Sequence, residues 1–271
     1  MKTNYHQHTT WCDGHDDVET MIRAAIDRGF DEIGFSSHAR LPDLEEGNLS
    51  PESAVRYAAE VRALAAKYAD RISVRLGVEA DYIPHDTTPE KARYAFLGLD
   101  YLIGSIHWVV APDGAQVPVD WSPERLEEGL RDHFGGDAEA YLRAYFAQER
   151  DMVAQFDFDI LGHPDLVRKF NGRLHYFDET APWYREELRL TADAIADSGK
   201  IVEINTGAIS RGWMDDAYPS VEFRDLLRER GVKFLLGSDA HSATAIDCAF
   251  DRFAATETFV ERISVRNPIG V

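Results

Sequence analysis

The chain opens on residues suited to metal chemistry: His6 and His8 in Tyr5-His6-Gln7-His8-Thr9, followed by Cys12-Asp13-Gly14-His15. On an extended stretch, residues two apart face the same side, so both imidazoles can reach one ion. A paired histidine alone is also what a solvated edge or a cloning remnant looks like. The decision comes from where the other ligand-type residues fall. His38 follows the run Glu32-Ile33-Gly34-Phe35-Ser36, Glu79 follows Ile72 to Val78, and His107 follows Tyr101 to Ile106. His163 follows Phe158-Asp159-Ile160-Leu161, while Asp239 and His241 follow Lys233 to Leu236. Singly, each has an ordinary explanation as a hydrogen-bonded core histidine, a salt-bridge partner or a helix cap. Repeated at one apolar run after another, they read as a multinuclear metal site.

The elements that must position these residues are short apolar or β-branched runs alternating with amphipathic helical stretches, the rhythm of parallel βα units. Strands are expected at 3–8, 32–36, 72–78, 101–106, 158–161, 200–204 and 233–236. Asp16 and Asp17 look like an N-cap for a helix ending at Gly29, and Ser50-Pro51-Glu52 starts another that runs to Tyr68. Further helices are expected near 89–96, 137–155, 180–198 and 243–259. Residues 108–136, with Pro112, Pro118, Pro123, Trp108 and Trp121, break the rhythm and read as an ordered lid or pocket wall. Residues 164–178 form a second irregular stretch. In a closed parallel barrel the strand C-termini converge on one face, so residues far apart in sequence would share one pocket. With no repeat or linker, the expectation is one domain over 1–271, with 108–136 and 164–178 as insertions that shape the site.

Composition narrows the partners. With 29 basic and 48 acidic residues the formal charge is −19, and no basic stripe is available to neutralise a phosphate backbone. Nucleic acid is therefore not an expected partner. The two cysteines, Cys12 and Cys248, cannot build a disulfide framework and fit a reducing compartment. No apolar run approaches the roughly 20 residues of a membrane span, and the start lacks a charged-then-apolar leader. The expectation is a soluble, cytoplasmic protein with no membrane partner; the sequence says nothing of its oligomeric state.

The His-x-His-Thr opening, the lone His38, and the segments Gly77-Val78-Glu79, Gly104-Ser105-Ile106-His107, Leu161-Gly162-His163-Pro164 and Gly237-Ser238-Asp239-Ala240-His241 resemble the PHP (polymerase and histidinol phosphatase) family. The resemblance spans essentially the whole chain. It implies an α/β fold, a distorted (β/α)7 TIM-like barrel, with three divalent metal ions at the C-terminal ends of the strands. By the same resemblance His6, His8, Glu79 and Asp239 would hold one ion, and Glu79, His107 and His163 a second. Asp13, His38 and His241 would hold the third. His15 sits where some members place a histidine ligand and competes with Asp13, whose offset from His8 matches the aspartate-type members.

Charge counting points to phosphate. Three divalent ions against the carboxylates of Asp13, Glu79 and Asp239 leave a surplus that suits a phosphate dianion plus a hydroxide. A nitrogen- and oxygen-rich shell without thiolate fits Zn, Mn or Fe. The expected chemistry is attack on phosphorus by a metal-activated hydroxide beside Glu79, with Asp239 accepting or relaying a proton. Arg168 and Arg211, each leaving a strand C-terminus, are expected on the substrate phosphate; His15 is a substrate-side candidate, with His133 and His175, for protonating the leaving group.

The His38-Ala39-Arg40-Leu41-Pro42 loop, the length and the lack of polymerase domains look most like the family's phosphatase branch. That implies hydrolysis of L-histidinol phosphate to L-histidinol and phosphate, a step of histidine biosynthesis. Specificity would lie in 39–49, 108–136 and 164–178, where Trp108, Trp121, Tyr176 or Trp213 could stack on an imidazole and Asp43 or Asp165 could meet an amine. The alternatives are another small phosphate ester or nucleotide as substrate, or an amidohydrolase-type metalloenzyme. A closed structural zinc site is a third.

Overall fold

The structure, a computed structural model, describes residues 1–41, 46–254 and 262. In chain order its strands are β1 (Thr3–Asn4), β2 (Glu32–Phe35), β3 (Ser73–Asp81), β4 (Tyr101–Ser105), β5 (Trp108–Val110), β6 (Gln116–Pro118), β7 (Ile160–Leu161), β8 (Ile201–Asn205) and β9 (Phe234–Gly237). Seven of them pair in the order β1-β2-β3-β4-β7-β8-β9, every neighbouring pair parallel. The two ends of that sheet meet where His8 N–H donates to Ala240 O at 2.9 Å and Gln7 bridges Ala240. The sheet is thus a nearly closed seven-stranded barrel, as the alternating rhythm and the family resemblance implied.

Helices cover the outside. The first, α1 (Val18–Asp27), starts where the Asp17 carboxylate accepts from Thr20 N–H at 2.7 Å, and buries Val18, Met21, Ile22 and Ala25 against the strands. The second, α2 (Pro51–Lys67), starts on the Ser50 hydroxyl, which caps Ser53 N–H. Each fully buried aliphatic side chain of this kind contributes about 1.5–3 kcal/mol. The barrel's own interior is small: Tyr5, Tyr101, Ile103, Ile160 and Leu235 fill it. Tyr101 crosses it, its hydroxyl 2.6 Å from Tyr5 O and 2.9 Å from Phe35 O. That crossing requires glycine at position 77, where a Cβ would stand 2.4 Å from the Tyr101 ring. Tyr5 and Arg75 both donate to the Glu32 carboxylate (2.5 and 2.9 Å) and seal the N-terminal end. A plugged interior leaves the strand C-termini as the open face.

The stretch 108–136 is more regular than its composition indicated. It folds as the antiparallel hairpin β5–β6 followed by α3 (Pro123–His133), whose Ser122 cap and leading proline repeat the Ser-Pro-Glu start seen at 50–52. Two long helices follow at α4 (Ala138–Gln155) and α5 (Pro182–Ser198), then α6 (Val221–Glu229). Residues 164–178 hold a 3-10 turn, Leu166–Arg168, and a single helical turn, Asn171–Leu174. Of the helix expected at 243–259, a 3-10 turn spans Ala243–Ala245, residues 246–249 form a turn and a helix spans Phe250–Ala254; 255–259 lie outside the described residues. No helix among the described residues is long and apolar enough to cross a membrane.

Candidate metal centre

Beyond β1 the chain stays extended, and His6 and His8 both turn into the mouth of the barrel with ring centroids 5.3 Å apart. Opposite them, β3 delivers Glu79, fully buried at the middle of the face. Its Oε2 lies 3.0 Å from His6 Nε2, and its Oε1 lies 2.9 Å from His163 Nε2 and accepts from Ser105 Oγ at 2.6 Å. His38 Nδ1, His8 Nε2 and His107 Nε2 complete the surround at 3.3, 3.4 and 3.6 Å. One carboxylate therefore faces five imidazoles.

Two further carboxylates flank it. Asp239 Oδ1 is 3.2 Å from His8 Nε2. Asp13 Oδ2 is 3.1 Å from His241 Nε2, and its Oδ1 is 3.4 Å from His8 Nδ1. Two of these residues sit in left-handed backbone, His163 at φ 25° and Asp239 at φ 48°. Such conformations cost about 1–3 kcal/mol in a non-glycine residue and are held only where the surroundings fix them. Here the strained bends turn both side chains off their strands into the mouth.

The electrostatics are those of a centre short of positive charge. Burial opposes ionisation of Glu79, yet His6, His38 and His107 hold its carboxyl well below the ordinary range. Burial likewise disfavours a charged His6, and the Glu203, Glu79 and Asp239 carboxylates override it. His38 goes the other way: burial and the neighbouring His8 bring it down to about 4. Packed carboxylates that draw protons onto their histidines are what a cation would replace.

The donor set fits divalent metal. Four groupings each bring their ligand atoms within 4.8 Å of one another: His8, Asp13, His38 and His241; His6, Glu79 and His163; His6, His8 and Asp239; His38, Glu79 and His107. Every one of the nine expected ligands falls in at least one grouping. Glu79 joins His163 through His6 and His107 through His38, so it belongs to two groupings at once. His8 Nε2 is fully buried and, although Asp239 Oδ1 stands 3.2 Å away, makes no hydrogen bond of good geometry among the described residues, the condition of a nitrogen kept for a metal.

Two residues that the sequence reading passed over hold the ligands in place. Glu203, on β8, brings both carboxylate oxygens to 2.9 Å from His6 Nδ1 and also accepts from His163 N–H. It reaches His6 across Gly237, where a Cβ would lie 1.6 Å from Glu203 Oε1. Asp81 Oδ1 lies 2.8 Å from His107 Nδ1 and accepts from His107 N–H. The available signal was a lone carboxylate in the apolar strand Ile-Val-Glu-Ile. Carboxylates behind metal-binding histidines fix the tautomer and ring, and losing one costs about 10–100-fold in metal affinity. Glu203→Gln is therefore expected to lower zinc affinity by about that factor while the fold persists, read by titrating metal-free protein with zinc. Unchanged affinity would reduce Glu203 to a packing role.

A cavity of about 430 Å³ opens over the cluster. Asp13 lines it, whereas the exposed His15 does not; His15 contributes a backbone N–H to His241 O at 2.7 Å. Arg211 lines it and donates to Asp239 Oδ2 and to Asp239 O at 2.8 and 3.0 Å. Arg168 is placed differently from the expectation. The 3-10 turn rotates it away from the cavity lining to Glu179 Oε2 (2.8 Å) and Ala217 O (3.4 Å), and its neighbour Lys169 faces the cavity instead. Trp108 and Trp121 form part of the wall; Tyr176 and Trp213 do not. Asp165 is buried away from the lining, accepting from Ser220 N–H, and Asp43 lies outside the described residues.

A parallel barrel carrying clustered imidazoles and carboxylates at its strand C-termini, beneath a cavity into which Lys169 and Arg211 also face, defines a barrel enzyme of the metallohydrolase class. The PHP domain model matches residues 4–207, and the chain belongs to the PHP family. It is 31% identical over 237 residues, 83% of this chain and 74% of the relative, to a Schizosaccharomyces pombe protein named "Probable histidinol-phosphatase". Its fold is similar to the crystal structure of hisK from Listeria monocytogenes, with a TM-score of 0.82 at 23% identity over 93% of this chain and 100% of that one. It is also similar to histidinol phosphate phosphatase from Lactococcus lactis complexed with zinc, L-histidinol and phosphate, with a TM-score of 0.65 at 20% identity over 94% and 93%.

Proposed function

We propose that this chain is a metal-dependent phosphomonoesterase that hydrolyses L-histidinol phosphate to L-histidinol and phosphate. The observation that carries the reading is Glu79, a buried carboxylate facing five histidines under a cavity that also presents Arg211 and Lys169. The relatives' histidinol-phosphatase names supply the alcohol. We assign three ions of Zn, Mn or Fe to the nine side chains, with Glu79 shared between two groupings and Asp13, rather than His15, among the ligands of the outermost.

When bound, such ions supply Lewis acidity toward phosphate oxygens and lower the pKa of a nearby water. The remaining roles belong to the protein. Glu203 and Asp81 keep His6 and His107 in fixed orientations. Asp239 stays ionised against the cost of burial because Arg211 and His6 face it; Arg211 bonds its Oδ2 and leaves Oδ1 toward His8 as the ligand atom, and it is the carboxylate we assign to accept or relay the water's proton. Arg211 and Lys169 present N–H groups to the phosphate, and arginine's planar fork suits two of its oxygens.

Arg211→Ala is expected to raise KM and lower kcat/KM by about 10–100-fold, the worth of a charge-assisted contact. Kinetics equal to the unsubstituted enzyme would remove Arg211 from the phosphate site. The function itself is tested by phosphate release from histidinol phosphate beside AMP, p-nitrophenyl phosphate and a cyclic nucleotide with metal-replete protein. Fastest release from histidinol phosphate is expected. Faster release from another of these esters would move the assignment to that ester.

A further inference from the structure

Beside the metal ligands, the cavity holds an ion pair of which only the lysine has a role so far. Lys169 Nζ donates to Asp120 Oδ2 at 2.9 Å and to Asp120 O at 3.0 Å. The two residues come from opposite walls. Asp120 follows the β5–β6 hairpin, and Lys169 follows the turn after His163. Both line the cavity, and the Asp120 side chain stays 27% exposed to it, against 9% for Lys169. Beside Asp120 the indoles of Trp108 and Trp121 pack edge to face with centroids 5.7 Å apart, and Trp121 remains 60% exposed.

The cavity's acids divide by task. Asp13, Glu79 and Asp239 face the histidines of the centre, Asp81 is bonded to His107, and Glu46 lines the cavity as an exposed side chain without the walled position of Asp120 between Lys169 and the indoles. Asp120 faces no ligand histidine within bonding distance; its partner is a lysine that an incoming phosphate also attracts. A dianion seated near Lys169 shares that ammonium and leaves Asp120 with uncompensated negative charge. Burial would favour a neutral carboxyl at Asp120, but the Lys169 ammonium beside it keeps it ionised, so the charge is present when substrate arrives.

Resting on the phosphatase reading above, we propose that Asp120 is a specificity-determining residue: it receives the cationic amine of the alcohol, while Lys169 is shared between Asp120 and the phosphate. The site is thereby matched to phosphomonoesters whose alcohol bears an ammonium group close to the ester, and the Trp108–Trp121 wall covers the apolar remainder. A phosphate ester without that cation leaves Asp120 unpaired in a confined site, which is how a polar pocket rejects an analogue.

The test compares two substrates on each enzyme: histidinol phosphate and its deaminated analogue, the phosphate ester of 3-(imidazol-4-yl)propan-1-ol. In the unsubstituted protein the aminated ester is expected to have the higher kcat/KM. In Asp120→Asn the ratio between the two is expected to fall by about 10–100-fold, chiefly through KM for the aminated ester. Because both substrates are read on one preparation, a general loss of folding or metal cancels from the ratio. A ratio equal in both proteins would overturn the role of Asp120 and leave the phosphatase reading standing. Failure of the unsubstituted, metal-replete protein to hydrolyse either ester would overturn the reading itself and the proposal with it.

Discussion

Glu79→Gln is expected to lower kcat for phosphate release by about 10³-fold or more, roughly 4 kcal/mol of transition-state stabilisation. The side chain keeps its size, so packing around β3 is preserved. What changes is charge and donor character. The amide presents only one oxygen, and its NH₂ group must point at one of the imidazole nitrogens now standing about 3 Å from a carboxylate. Because Glu79 contacts His6 through one oxygen and His163 through the other, no amide rotamer serves both. Metal content should fall together with activity. Elemental analysis of the purified variant beside phosphate-release kinetics reads both, and full metal occupancy with undiminished kcat would remove Glu79 from its central place.

Removal of the metals is the second large effect. A chelator should abolish turnover, and readdition of Zn, Mn or Fe should restore it. An ion present at a hundred times its dissociation constant stabilises the folded state by about 2.7 kcal/mol. With the three ions proposed above each so bound, in a chain where about 2–4 °C of melting temperature accompanies each kcal/mol, a fall of about 15 °C or more is the expected result.

The metal-free protein should also acquire a particular pH dependence. His6 and His8 have folded-state pKa values raised above the unfolded value, so their contribution is complete below about 6.5 and is lost as pH rises through the folded values. Glu79 and Asp239 are depressed, so theirs is present above the usual carboxylate range and is lost on acidification. The metal-free melting temperature should therefore be highest between about pH 4.5 and 6.5 and decline toward alkaline pH. The loaded enzyme, whose imidazoles are held neutral by metal, should show no such alkaline decline across the same range. Parallel melting curves of the two forms would decide it, and identical pH profiles would show that the histidines carry no proton in the metal-free state.

What the sequence made legible was local. The i, i+2 histidines, the ligand-type residue after each apolar run and the seven-strand rhythm all follow from periodicity over a few residues. What it hid was placement across the barrel. Glu203 is 197 residues from His6, and nothing near either position shows that they touch. The hairpin at 108–118 has strands of three residues, too short for alternation to register, whereas α3 carried the Ser-Pro-Glu start already read at 50–52. Arg168 and Lys169 differ by one step around a 3-10 turn, and which of the two faces the cavity is decided by Glu179 and Asp120.

The near-closure of the barrel bears on the unfolded chain as much as on the folded one. β1 and β9 meet through few backbone contacts, and the same seam carries His6 and His8 on one side and Asp239 and His241 on the other. Asp13 and His241, 228 positions apart, face each other across it. An ion bound by both flanks is a reversible cross-link between the two ends of the barrel. The loop it closes spans most of the chain, and the conformational entropy withheld from the unfolded ensemble grows with loop length, although slowly. The proposed metal centre, once loaded, would then double as the clasp that holds the barrel shut.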